Sequence, residues 1–225
     1  VEGTAKNLNA IADDLDKGIK RYDAICMPIS SLCYLSTLAE QTRLPLTAEN
    51  LQAHKKEIKE LFKTYKNARN DLVYGGVLSV ISAIERLTQR KNPIPVFIAG
   101  GNDNNHNINL YCLADGAINV GSSYADGVKK LDSATHSLIN AYAQGVFDVF
   151  EVKDANGAVT GYDIKGDGTI FATADEVSKG TSLAERFKGK NINGLLVLNS
   201  DKRDYTRKII RDISDSKAEL ERTED

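Results

Sequence analysis

The chain has 225 residues, 41% hydrophobic and 27% charged, with a formal net charge of −2. That is enough for one sizeable core or two small domains, and the balance is that of a globular protein rather than a disordered one. The near-neutral charge offers no electrostatic case for nucleic acid or anionic lipid, and no apolar run nears the roughly 20 residues needed to cross a bilayer, so neither nucleic acid nor membrane is an expected partner.

The N-terminus, VEGTAKNLNAIADDLDKG, lacks the basic-then-apolar order of a signal peptide. Leu8, Ile11, Ala12, Leu15 and Ile19 share one helical face, and the helix should end near Gly18. YDAICMPI then reads as a short buried strand. Leu32–Leu72 reads as an insertion of two helices, the second capped at Thr47 with Glu49 in its first turn. GGVLSVISAIERLTQR is a core helix carrying Val77, Val80, Ile81, Ile84 and Leu87 on one side. PIPVFIAGG is a continuous apolar strand that runs into the polar loop NDNNHN, and GAINVGS is a further strand.

Apolar strands without alternation, separated by helices, predict an α/β fold of three layers: a mostly parallel sheet with helices on both faces. The loops beyond the strands' carboxyl ends, SSL, GGNDNN and GSSYADG, should then share one rim. From Phe147 to Glu176 the pattern changes to β-hairpins, with Asn156-Gly157 as a two-residue turn. DIKGDGTI has Asp163, Asp167 and Gly168 at calcium-loop spacings, but Lys165 takes the third position and Ala174 the twelfth, so it reads as a plain turn. Beyond it, Leu183, Phe187, Ile192, Leu195 and Leu198 keep roughly helical spacing, DKRDYTRKIIRDISDS reads as a surface helix, and 217–225 as a charged tail. Cys26, Cys33 and Cys112 are too scattered for a disulfide framework or zinc site. Cys26 and Cys112 read as core residues, a Cys26–Cys33 bridge is a minor alternative, and no metal or cofactor is expected.

In chain order, YDAICMPIS, PIPVFIAGGNDN, GAINVGSS and KGTSLA resemble the second half of the catalytic domain of subtilisin-like serine proteases (subtilases). That family reads DVINMSLG, VVVVAAAGN, VIAVGA and GTSMASPHVAG, with the nucleophile in the GTS. The resemblance implies a single, partial subtilase-like domain over 1–225 and a protein or peptide substrate. It implies Ser182 as nucleophile at a helix N-terminus and Asn102 as side-chain donor to the oxyanion. It further implies Ala99, Gly100 and Gly101 as a wall of the primary specificity pocket, and Pro28, Ile29 and Ser30 as the segment that pairs with substrate backbone. The family's usual compartment leans towards a secreted protein.

The departures are equally definite. A serine hydroxyl needs a base, and the base an orienting acid. The family's D-[ST]-G and HGTHVAG motifs are absent. His54 sits in a charged helix and should face solvent, His106 follows Asn102 in the Asn-rich loop, and His136 belongs to a turn or strand. Glu185-Arg186-Phe187-Lys188 stands where the family has Ser-Pro-His-Val, and Pro28 removes a backbone donor from the pairing segment. Three readings follow: the serine-bearing part of an active endopeptidase whose Asp and His lie outside this chain, a non-catalytic subtilase-fold module that binds protein or peptide, or an α/β domain with chance motif matches. Without the family's first strands the sheet should present an open edge, to be covered by an N-terminal segment, a second chain or an insertion helix.

Overall fold

The structure is a computed structural model that describes residues 1–177 apart from 21, 23, 65–73, 92, 125–127, 148–150, 154, 163–165, 170, 171 and 176. Its centre is a four-stranded parallel sheet in the order β1 (Ile25–Met27), β3 (Val96–Ala99), β5 (Ile118–Ser123), β6 (Ala141–Gln144). Every residue of β3 and β5 is buried. This is why these strands read as unbroken apolar runs: both of their faces are covered.

Alternation sorts the side chains between two layers. Val96 and Ile98 join the cluster built with α1 (Glu2–Asp16), α2 (Leu35–Thr42), α3 (Leu51–Thr64) and α4 (Gly76–Thr88). Phe97, Ile118 and Val120 turn the other way, onto Ala141, Ala143 and Ala172. The α/β class and the covered, mostly parallel sheet are therefore as expected. Helix α4 buries Val77, Val80, Ile81, Ile84 and Leu87, the face read from its periodicity. Helix α1 buries Ala5, Leu8 and Ala12, with Ile11 and Leu15 packed beside them, while Ile19 is exposed. Arg86 ties the two helices by reaching Asp13 and Asp16, each at 2.7 Å.

Several local expectations need correction. A strand β2 (Leu32–Tyr34) pairs antiparallel with β4 (Asn107–Asn109) before α2 begins, so the segment from Leu32 does not start as a helix. Helix α3 starts at Leu51 rather than beside Thr47, because the Asn50 Oδ1 accepts from the Thr47 N–H and closes a turn first. Cys26 is exposed, because β1 is the edge of the sheet, and all three cysteines are free. Cys112 is buried as expected, and burial pushes its thiol pKa up to about 12. His54 is only partly exposed and pairs with Glu57 at 2.7 Å.

The Asn156-Gly157 turn lies between the antiparallel strands β8 (Glu151–Lys153) and β9 (Val159–Tyr162), as the dipeptide signals. A short ladder joins β7 (Val146–Phe147) to β10 (Gly166–Asp167). The hairpin reading fails after Gly168. Thr169, Ala172–Asp175 and Val177 are helical, the Ala172 N–H donates to the Gly168 carbonyl, and the Thr173 hydroxyl donates to the Thr169 carbonyl at 2.6 Å. Alanines 172 and 174 favour this helix, and the short apolar run TIFATA does not by itself tell strand from helix.

Candidate functional site

The loop after β3 carries the expected oxyanion donor. Chain direction changes at Gly101, whose φ of +123° glycine adopts readily and other residues rarely. Gly100 is fixed by packing: a Cβ there would fall 2.5 Å from Ile139 Cδ1 and 2.9 Å from the Val120 carbonyl. Asn102 comes next, exposed, and its side chain reaches a second loop 67 residues away in sequence.

That second loop is Gly168-Thr169. The Asn102 Oδ1 accepts from the Thr169 N–H at 2.7 Å, and the Gly101 N–H donates to the Thr169 hydroxyl oxygen at 3.2 Å. Thr169 is 1% exposed and opens the helix just described, so Asn102 satisfies one of the helix's first N–H groups. With Oδ1 engaged, the amide nitrogen of this exposed side chain has no acceptor among the described residues. Gly168 allows the close approach. Its φ is +114°, a Cβ on it would lie 2.5 Å from the Asn102 Nδ2, and its own N–H donates to the Gly145 carbonyl at 2.8 Å. Gly168→Ala should therefore destabilise the protein by about 1–3 kcal/mol, the usual cost of a side chain in such backbone. Chemical denaturation checks this, and an unchanged midpoint would mean the loop sits elsewhere.

A third element, Asn109 at the end of β4, ties the expected pocket wall at Ala99 to the expected substrate-pairing segment at Ile29. Its Nδ2 donates to the Ile29 carbonyl at 3.2 Å and the Ala99 carbonyl at 2.8 Å. Its Oδ1 accepts from the Ser31 N–H at 3.1 Å and the Tyr111 N–H at 3.2 Å. Asn109 is 0% exposed with all four of its side-chain bonds made. Ile29 and Ser30 lie exposed on one side of it, and Ala99 is buried on the other.

The structure thus brings Asn102, Gly100, Gly101, Ala99, Ile29 and Ser30 to one rim at the carboxyl ends of β1 and β3. Ser182 lies outside the described residues, as do the apolar run, surface helix and charged tail expected after it. His106 lines an open cleft of about 520 Å³ with Tyr34, Leu46 and Asp103, and His136 is fully buried. Among the described residues no cluster of His, Cys, Asp and Glu is suited to a metal ion.

No protein-family model and no curated protein matches the chain. Solved structures that it resembles include the prenylagaramide maturation protease PagA, at 15% identity and a TM-score of 0.47, over 82% of this chain and 51% of that one. A protease from Pseudoalteromonas arctica is similar at 16% identity and a TM-score of 0.35, over 60% of this chain and 39% of that one. A cold-adapted subtilisin-like serine proteinase is similar at 16% identity and a TM-score of 0.33, over 64% of this chain and 52% of that one. The chain spans about half the length of the first of these.

Thr169 and Asn109 were not singled out from the sequence. Gly168-Thr169 looks like the tail of a turn, although the same Gly-Thr pair that made Ser182 conspicuous also stands there. Asn109 is one asparagine among several in a polar loop, and nothing local marks it for burial.

Proposed function

We propose that the chain is a subtilase-fold module that binds an extended peptide or protein segment along the rim beside Asn102 and does not cleave it. The carrying observation is the bond between Asn102 and the Thr169 N–H. The subtilase resemblance sets a Gly-Thr pair, at the head of a helix, beside the oxyanion asparagine. Here the pair beside Asn102 is Gly168-Thr169, and the sequence continues Ile170-Phe171-Ala172, keeping the Gly, Thr and Ala of the family's GTSMA with Ile in place of the serine and Phe in place of the methionine. Ile170 has a hydrocarbon side chain and no atom able to attack a carbonyl.

A site of this kind keeps its binding parts. The Asn102 amide nitrogen can donate to a peptide carbonyl, and the exposed Ile29–Ser30 segment offers a backbone edge, shortened by Pro28. The sheet edge belongs to the same proposal. No described strand pairs with the outer side of β1, so an N-terminal segment or second chain has a place to add there.

Binding by calorimetry, with intact-mass analysis of the same peptides, tests the proposal. The expected result is saturable binding, weakened several-fold by Asn102→Ala, with every peptide recovered whole. Cleavage abolished by Ser182→Ala would overturn it in favour of the endopeptidase reading.

A further inference from the structure

We infer that Asn109 closes the slot between the pairing segment at Ile29 and the pocket wall at Ala99, the two walls of that slot, and restricts the module to peptides with glycine or alanine at the side chain facing it. The inference rests on the peptide-binding proposal and adds a specificity to it. One nitrogen, Asn109 Nδ2, donates to the Ile29 carbonyl at 3.2 Å and to the Ala99 carbonyl at 2.8 Å. The two carbonyl oxygens cannot lie farther apart than those lengths combined, about 6 Å. A side chain sandwiched between two backbone walls needs about 3.5–4.0 Å on each side, so a gap of roughly 7 Å or more.

The amide does more than narrow the gap. Asn109 is 0% exposed, so it occupies the space between the walls itself. Its Oδ1 holds the Ser31 and Tyr111 N–H groups, which prevents the side chain from swinging aside without orphaning all four of its partners. The far wall cannot retreat either. Gly100 already lies so close to Ile139 and the Val120 carbonyl that no Cβ fits behind it. A methyl group can rest on the mouth of such a slot, whereas leucine or phenylalanine cannot enter it.

A host peptide of alanines, blocked at both ends and varied one position at a time through Gly, Ala, Leu and Phe, tests this on the unaltered protein by fluorescence anisotropy. One position should tolerate Gly and Ala but lose at least tenfold in affinity with Leu or Phe, and Asn109→Gly or Asn109→Ser should recover much of that loss. Equal affinity for Ala and Phe at every position overturns the inference while leaving peptide binding intact. Failure of every peptide to bind overturns the binding proposal and the inference together. Should the Asn109 variants fail to fold, the panel on the unaltered protein decides alone.

Discussion

Asn109→Ala is expected to lower the unfolding free energy by about 3 kcal/mol, more than other single polar truncations at this rim. The substitution strands two acceptors and two donors at once. The Ala99 carbonyl and Tyr111 N–H belong to residues 4% and 2% exposed, so water cannot easily replace the lost partner. Each buried polar group left without a bond costs about 1–3 kcal/mol. Ile29 and Ser31 are more accessible, and their groups recover much of the loss from solvent. For a domain of this size the change corresponds to a fall in Tm of roughly 6–12 °C. Asn109→Asp should be no milder, since a carboxylate puts an acceptor where Ile29 and Ala99 need a donor. Thermal and chemical unfolding check this. A loss below about 1 kcal/mol for Asn109→Ala would show that the clamp contributes little beyond what water supplies.

The same clamp shows what was legible in the sequence. Helix α4 and strands β3 and β5 were read correctly because their burial is regular, at 3.6-residue spacing in one case and continuous in the other. The loop carrying Asn102 was legible as the polar end of a buried strand, where an α/β sheet keeps its functional loops, and Asn102 itself only through the resemblance of AGGN to the subtilase motif. Asn109 was not, because its burial depends on partners 78 to 80 residues away at Ser31 and Ile29. Cys26 was misread for a related reason: an apolar triplet looks the same in a central strand and in an edge strand, and only the sheet order separates them.

The helix at Thr169 was missed for a local reason. GDGT announces a turn, and the few apolar residues after it are too short to set a period. What decides in favour of helix is a long-range event: Asn102 accepts the Thr169 N–H and the Gly101 N–H finds the Thr169 hydroxyl, so the first turn is capped from another loop. Three Gly-Thr pairs occur in the chain, Gly3-Thr4, Gly168-Thr169 and Gly180-Thr181, and the one followed by serine drew attention first. The hydrogen bond sets Gly168-Thr169 beside Asn102.

Reaction with a fluorophosphonate tests the central claim most directly, because it reads nucleophile activation as an all-or-none mass change. In full-length protein the probe should leave Ser182 unmodified over times in which an activated serine reacts completely, and Ser182→Ala should change nothing. Stoichiometric labelling of Ser182, lost in Ser182→Ala and slowed about 10²–10³-fold when the Asn102 amide is removed, would contradict the claim and restore Ser182 as the partner of Asn102.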